Sequence, residues 1–204
     1  MNPVLLVPSP LGIRGDVVEA ANRLHGLGYR AHTVDLFHGH TADNLDDGLA
    51  LCDRVGYRTL LARVENALRR YPDTTTLVGF SLGASLASRV AWTHPTINQL
   101  VLFSGIGDPR PAPPQLRVQL HNMTDDAYCG PPDRVAAWAQ LARSHGATIE
   151  PWYYTGAGHF FADPSHPDHD HVARERAWRR TTAFLSSPTA ASAERETRTV
   201  GYLA

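Results

Sequence analysis

The fold of this chain is decided by the stretch Thr76-Leu77-Val78-Gly79-Phe80-Ser81-Leu82-Gly83-Ala84. Its apolar first half predicts a short strand over residues 75–80, and its second half begins a predicted helix over residues 82–93. At the junction stands a G-x-S-x-G pentapeptide with Ser81 at its centre. A serine on such a sharp turn exposes its hydroxyl, and glycines on either side let neighbouring segments approach without Cβ clashes. The motif predicts that Ser81 is a nucleophile.

Short apolar runs alternate with longer helical patterns on both sides of this stretch. That alternation is typical of βαβ units, so we predict an α/β fold with a mostly parallel central sheet flanked by helices. We predict one domain over residues 1–185 without a separate lid, functional loops at 37–53 and 105–114, and a flexible polar tail at 186–204. The strands are predicted at residues 4–7, 31–36, 75–80, 99–103, 116–120 and 149–153, and the helices at 16–27, 57–70, 82–93, 132–144 and 173–185.

The composition of the 204 residues excludes several classes of function. The formal net charge of -1 gives no general attraction for nucleic acid or anionic lipid, and no apolar run approaches the roughly 20 residues of a membrane span. All 19 basic residues are arginine, which excludes lysine Schiff-base chemistry. Two cysteines and a start without a basic leader favour a reduced, cytoplasmic protein. We expect a small-molecule substrate and no cofactor.

A serine nucleophile needs a general base, and His159 is the predicted one. It follows the last predicted strand and precedes the final helix, as the chain order serine, aspartate, histidine requires. His38, His40 and His121 also follow predicted strand ends, where we expect them to lie near the pocket, but their positions or partners do not suit the base. Sequence chemistry thus favours one histidine of the 11.

The carboxylate that orients the histidine is expected after the strand predicted at residues 116–120. Asp125 and Asp126 both stand there. Adjacent carboxylates point in different directions, so one of them orients the imidazole and the other is a turn or solvent residue. Residue chemistry alone leaves the choice between the two open.

Several segments are shared with one known family, and together they cover nearly the whole chain up to about Leu185. The segments are Pro10-Leu11-Gly12, Gly28-Tyr29, Val34-Asp35-Leu36-Phe37, Gly79-Phe80-Ser81-Leu82-Gly83, His121-Asn122-Met123-Thr124-Asp125-Asp126 and Tyr154-Thr155-Gly156-Ala157-Gly158-His159-Phe160-Phe161. They resemble the dienelactone hydrolase family, a compact branch of the α/β-hydrolases. The resemblance implies an α/β-hydrolase fold, a triad of Ser81, Asp126 and His159, and hydrolysis of a small ester, lactone or thioester through an acyl-enzyme intermediate.

The chain departs from the resemblance at three positions. The best-known members use a cysteine nucleophile where this chain has Ser81, and an acidic residue where it has Ser9. Four residues after the histidine they place an arginine that binds substrate carboxylate, and here that position is Asp163. We therefore expect ordinary esterase chemistry, with Asp163 repelling a substrate carboxylate.

The predicted oxyanion hole combines two backbone amides. Leu82, at the helix start, supplies one. The residue aligned with the family's other donor is Pro10, which has no N–H. Leu11 supplies this donor if the loop is shifted by one residue; otherwise a side chain such as Ser9 serves with Leu82. The predicted substrate-binding residues are Ser9, Pro10, Phe37, His38, Phe160 and Asp163.

Two other interpretations of the sequence stay open. An α/β-hydrolase scaffold of weak activity that binds a small ligand is favoured by Pro10, because losing one oxyanion donor costs roughly 100- to 1000-fold in turnover. Metal binding is suggested by the dense histidines and carboxylates of residues 163–171, although the prolines among them and the irregular spacing argue against a preformed site. We predict no metal site.

Overall fold

Six parallel strands form one sheet in the computed structural model, which describes residues 3–113 and 115–187. The sheet has the order β2-β1-β3-β4-β5-β6. The chain thus runs from β1 outward to β2 and then returns to the other side of β1, so the strand order reverses between β1 and β3. Ligands of open α/β sheets bind at the carboxyl ends of the strands beside such a reversal. The strands are β1 (Pro3–Val7), β2 (Arg30–Thr33), β3 (Thr76–Phe80), β4 (Gln99–Phe103), β5 (Arg117–Met123) and β6 (Thr148–Tyr154).

Helices cover both faces of this sheet. Every residue of β1, β3 and β4 is buried, as expected for central parallel strands covered on two sides. One core lies between the sheet and α3, α4 and α5, and a second lies between the sheet and α1 and α6. The helices are α1 (Gly15–Gly26), α2 (Leu45–Val55), α3 (Tyr57–Arg70), α4 (Leu82–Ala91), α5 (Pro132–Ser144) and α6 (His171–Ser186).

The predicted α/β fold with a parallel sheet is confirmed, and the bounds of α3 and α5 are those predicted. The loop predicted at residues 37–53 is wrong in its second half, because α2 begins at Leu45 and continues to Val55. Asn44 caps α2 by accepting a hydrogen bond of 3.0 Å from the Asp47 amide. Gly48 is the one fully buried residue of this helix, and the side chains of Leu45, Leu51, Cys52 and Val55 are partly buried against the core.

The remaining expectations concern a loop, a lid domain, a membrane span and the C-terminal tail. The segment predicted as a loop at residues 105–114 has neither helix nor strand over its described residues. The described part of the chain has no separate lid domain, and none of its helices is long and apolar enough to cross a membrane. The tail predicted at residues 186–204 lies, from residue 188 onward, outside the described residues.

Two glycines bring α4 against the ends of β1 and β3. A Cβ atom at residue 83 would lie 2.1 Å from the carbonyl oxygen of Val7, and one at residue 79 would lie 2.5 Å from the carbonyl oxygen of Gly83. Both contacts are with backbone, which cannot rotate away as a side chain can. The close packing that fixes Ser81 therefore requires glycine at both positions.

We predict that Gly83→Ala lowers the free energy of unfolding by on the order of 3 kcal/mol, because α4 must move away from β1. Urea denaturation followed by circular dichroism measures this change. Gly26→Ala is the matched control, since a Cβ there would meet nothing within 4 Å. Equal stabilities of the two variants would contradict the close-packing argument.

Candidate active site

Ser81 occupies the strained turn between β3 and α4. Its backbone has φ 52° and ψ -114°, in a region that residues other than glycine rarely adopt. Its amide donates to the carbonyl oxygen of Phe103 at 2.8 Å, and its own carbonyl accepts from the Ala84 amide at 2.9 Å. These bonds hold the turn between β4 and the first residues of α4, and the hydroxyl faces the loop that follows β6.

His159 lies in that loop and joins Ser81 to Asp126. Its Nε2 is 2.7 Å from Ser81 Oγ, and its Nδ1 is 2.8 Å from each carboxylate oxygen of Asp126. The rings of Phe160 and Tyr128 meet the imidazole edge-on, with centroids 4.8 and 4.9 Å away. The three hydrogen-bonding side chains come from the carboxyl ends of β3, β5 and β6, so the parallel sheet brings them together.

Asp126, rather than Asp125, is the carboxylate that faces the histidine. Its Oδ1 accepts the amides of Tyr128 and Cys129 at 2.9 and 3.0 Å, in the turn after β5. Burial alone would raise the pKa of Asp126, but the hydrogen bond and charge of His159 and these two amides outweigh it and lower that pKa. Asp125 is exposed and accepts from the Thr124 hydroxyl at 3.3 Å.

The loop that carries His159 is held in place by Asp168, a residue that the sequence analysis did not single out on its own. Asp168 accepts the Phe160 amide at 3.1 Å, and its carboxyl carbon would lie 2.3 Å from a Cβ at residue 158. Gly158 therefore leaves room for the carboxylate that fixes the loop just beyond the histidine. The glycine before His159 is the sequence signal of this contact.

The loop after β1 holds the other predicted oxyanion donor. The Leu11 amide donates to Ser9 Oγ at 3.2 Å, so this N–H is engaged within the loop. Helix α2 braces the loop, because a Cβ at Gly48 would lie 2.9 Å from the Pro10 carbonyl oxygen. The Leu82 amide belongs to the first turn of α4, where an N–H has no intrahelical acceptor.

A narrow cavity adjoins Ser81 and His159. Its volume of about 10 Å³ is about the room that one water needs. Phe160 and Asp163, of the predicted substrate-binding residues, line it. Its full lining is Asp16, Phe80, Ser81, Phe103, Ser104, His159, Phe160, Ala162 and Asp163.

The other predicted pocket residues lie elsewhere. Phe37 is buried in the core beneath α3 and α4, and His38 is exposed with its Nε2 2.8 Å from a guanidinium nitrogen of Arg63. His40 is exposed as well. The expectation that His121 lies near the pocket is wrong, because it is fully buried under α6, where burial lowers its pKa to about 3.

The histidines and carboxylates of residues 163–171 serve as structural groups. His166 accepts the Asp168 amide at 3.1 Å, His169 Nδ1 lies 3.0 Å from the Phe161 carbonyl oxygen, and Asp170 caps α6 by accepting the Ala173 amide at 2.7 Å. Within the ranges 3–113 and 115–187, no group of three or more histidine, cysteine or acidic side chains is arranged to hold a metal ion.

Asp163 is buried beside an arginine that sequence reasoning missed. Only 2% of its side chain is exposed, and its Oδ2 accepts from Arg14 Nε at 3.4 Å. Arg14 also donates to the Ala42 carbonyl oxygen and Asp43 at 2.7 Å each. The guanidinium thus offsets the charge on Asp163. This contact weakens the repulsion of substrate carboxylates that the sequence predicts for Asp163. No local pattern could find this pair, because 149 residues separate its members.

Asp16 is the second residue that the sequence did not reveal. It is 4% exposed, lines the cavity, and accepts the Val17 amide at 2.8 Å. Burial and then the negative charge of Asp163 raise the pKa of Asp16 to about 7, against the smaller opposing effects of the Val17 amide and Arg14. A buried acid with a strongly shifted pKa in a cavity is a typical functional-site signal.

The open parallel sheet, with a serine on a strained strand-to-helix turn bonded to histidine and aspartate, defines the α/β-hydrolase class. The model of the dienelactone hydrolase family matches residues 1–188, so the chain belongs to that family. It is a hydrolase of the carboxylic ester and lactone type. A search of curated proteins finds no match.

Solved structures of similar fold include other hydrolases. A dienelactone hydrolase described as putative, from Klebsiella pneumoniae, has a TM-score of 0.75 at 20% identity, covering 92% of this chain and 88% of that one. A dienelactone hydrolase-like promiscuous phosphotriesterase from metagenomic libraries has 0.71 at 22% identity, covering 91% and 86%. Esterase 2 of Thermogutta terrifontis, phosphonylated by sarin, has 0.65 at 15% identity, covering 90% and 83%. At these identities the likeness establishes the fold.

The raised pKa of Asp16 makes stability depend on pH. The folded state keeps this proton up to about pH 7, whereas the unfolded chain loses it near the ordinary value of 3.8. Its contribution to the free energy of unfolding is therefore full below pH 4 and falls by roughly 4 kcal/mol as the pH rises to 7.

We predict that Asp16→Asn removes this loss, so that the variant gains stability over the wild type between about pH 4 and pH 7. Urea unfolding at several pH values measures the difference. Asp43→Asn serves as the control, because the Asp43 side chain is 96% exposed. A difference that does not change with pH would contradict the raised pKa.

Proposed function

We propose that this chain hydrolyses a small ester, lactone or thioester through an acyl-enzyme intermediate on Ser81. The observation that carries the proposal is the continuous chain of hydrogen bonds from Ser81 Oγ through His159 to Asp126, with links of 2.7 and 2.8 Å. The strained turn presents the hydroxyl, and the histidine is held in one orientation by the carboxylate and by the two aromatic rings.

In the acylation step, Ser81 Oγ attacks the carbonyl carbon while its proton passes to His159 Nε2. The electrons of the carbonyl double bond move to the oxygen, which becomes an oxyanion. When the carbon–oxygen double bond re-forms, the bond to the leaving group breaks, and the imidazolium gives its proton to that group. Asp126 stays ionised throughout and stabilises the imidazolium, which agrees with its lowered pKa.

In the deacylation step, water takes the place of the leaving group. His159 Nε2 accepts a proton from the water as its oxygen attacks the acyl carbon, and the collapse of the second tetrahedral intermediate returns that proton to Ser81 Oγ. The acid product carries the water oxygen. The net reaction consumes one ester bond and one water.

The Leu82 amide is the first proposed oxyanion donor, as a free N–H at the start of α4. The Leu11 amide is the second, provided that the substrate oxygen replaces Ser9 Oγ as its acceptor. If Ser9 stays on Leu11, the oxyanion has one backbone donor fewer. That contact is the specific observation favouring the second candidate function, a ligand-binding scaffold of low activity.

We predict that Ser81→Ala and His159→Ala each lower kcat/KM for 4-nitrophenyl acetate by about 10⁶-fold, and that Asp126→Asn lowers it by about 10⁴-fold. Initial rates on the purified variants measure these losses. Asp125→Asn is the matched control and should retain activity, since its side chain faces solvent. Full activity of Asp126→Asn beside an inactive Asp125→Asn would reverse the assignment.

Labelling by a fluorophosphonate separates the two candidate functions. The neighbour from Thermogutta terrifontis is phosphonylated by sarin, which makes an organophosphorus probe a suitable choice. An activated Ser81 is labelled, and Ser81→Ala and His159→Ala are not. Absence of labelling in the wild type would favour the scaffold of low activity.

We predict that kcat/KM for a neutral ester rises with pH and then levels in mild alkali, because only the neutral imidazole of His159 accepts the Ser81 proton. A series of rate measurements from about pH 5 to about pH 9 gives the profile. A flat profile over that range would argue against a histidine base.

A further inference from the structure

The narrow cavity beside Ser81 and His159 matches one water molecule in size. Its volume of about 10 Å³ is about the room that one water needs, and it is less than any alcohol needs. A buried water also requires about two to four polar partners. The lining supplies five polar side chains, which are those of Asp16, Ser81, Ser104, His159 and Asp163. A water in this cavity therefore adjoins both the proposed nucleophile and the proposed base.

The apolar walls of the cavity belong to the core and have little freedom to move apart. Phe103 is 1% exposed, and its ring stacks on that of Phe80 with the centroids 5.0 Å apart. Phe103 also meets the rings of His121, Phe161 and Trp178, at centroid distances of 4.8, 6.3 and 5.5 Å. Close-packed interiors yield little, so the core fixes the volume of the cavity.

Ser104 is held at a strained position where its side chain lines the cavity. Its backbone has φ 50°, in the left-handed region that favours glycine. Its amide donates to the His121 carbonyl oxygen at 2.8 Å, which holds the turn after β4 in place. The side chain of Ser104 occupies space beside Ser81 that a glycine would leave open, although a glycine would carry less strain.

Groups larger than water reach the triad from another side. Ser81 is partly exposed, and the ring of Tyr128, which lies 4.9 Å from the His159 imidazole between centroids, is 62% exposed. The triad is thus open to solvent on the side of Tyr128. The acyl group and the leaving group of an ester must lie on that side, because the cavity has no room for either. The cavity then stays available to water during acylation.

Resting on the proposed function, we infer that this cavity binds the water that deacylates the enzyme, and that its size excludes alcohols as acyl acceptors. The oxygen of the bound water attacks the acyl carbon as a proton of the water passes to His159 Nε2. The bond from that carbon to Ser81 Oγ then breaks, and the proton moves to Oγ. Methanol would follow the same steps and yield a methyl ester, but its extra carbon has no place in the cavity. The cavity thus makes the chain a hydrolase rather than an acyltransferase.

The test measures how the acetyl-enzyme divides between water and methanol. The enzyme turns over 4-nitrophenyl acetate in dilute aqueous methanol, and NMR of the products gives the ratio of methyl acetate to acetate, with the spontaneous reactions subtracted. Both products come from one acyl-enzyme, so their ratio depends neither on the rate of acylation nor on the fraction of folded enzyme. We expect Ser104→Gly, which widens the cavity and suits the φ of 50°, to raise this ratio about tenfold over the wild type.

Gln115→Gly is the matched control, because Gln115 has φ 70° and is exposed. It relieves backbone strain of the same kind and should keep the wild-type ratio. Equal ratios in the wild type and Ser104→Gly would overturn the inference and leave the triad intact. A wild-type ratio equal to that of the spontaneous reaction would do the same, because the cavity would then exert no choice. Release of no 4-nitrophenol by the wild type would instead be a failure of the proposed function, and the inference would fall with it.

A second variant fills the cavity instead of widening it. Ala162→Val adds two methyl groups to a lining residue that is 6% exposed, and we expect it to slow deacylation about tenfold more than acylation. Acetyl-enzyme then accumulates on Ser81 to a higher level than in the wild type, which mass spectrometry of the acid-quenched enzyme detects. Ala183→Val, at an exposed position of α6, is the control and should show the wild-type level. Equal slowing of the two steps in Ala162→Val is what a purely structural residue would cause, and it would overturn the inference.

Discussion

The backbone strain at Ser81 is the constraint on which the rest of the molecule depends. A non-glycine residue holds φ 52° only when the surrounding structure enforces it. Here the enforcement comes from the amide bond to Phe103 and from the contact of α4 with the backbone of β1 through Gly83. The buried central strands supply the rigidity. The same packing that stabilises the sheet therefore places Ser81, the proposed nucleophile, at its carboxyl edge.

The sequence predicts the elements that carry a strong local signal. Helix α3 has a clear apolar stripe and helix α5 has clear ends at Pro132 and Gly146, and their predicted bounds agree with the structure. Strand β2 is shorter than predicted, since it ends at Thr33 while the apolar pattern continues to Leu36. β2 is an edge strand paired with β1, and the apolar residues Val34 and Leu36 that follow it are buried without being part of the strand. Helix α2 was missed although the sequence holds signals for it, in the capping residue Asn44 and in apolar residues at helical spacing that are partly buried against the core.

The residues of the candidate site also differ in how far the sequence could predict them. Ser81 and His159 stand in glycine-bounded motifs whose residue types report their geometry, so sequence reasoning could name both. The choice between Asp125 and Asp126 needed the direction of each side chain, which depends on the turn amides of Tyr128 and Cys129. The contact of Arg14 with Asp163 joins two distant loops, and no periodicity or spacing in either loop points to the other.

Two buried carboxyl groups near one histidine have pKa values shifted in opposite directions, and their partners explain the difference. Asp126 accepts two backbone amides and the imidazole, so its charge is satisfied and its pKa is lowered. Asp16 accepts one amide and faces the charge of Asp163, so its pKa is raised. Pairs of acids whose environments separate their pKa values commonly divide two tasks. Under the proposed function, Asp126 stabilises the imidazolium of His159, whereas Asp16 takes no part in the hydrogen-bonded chain of the triad.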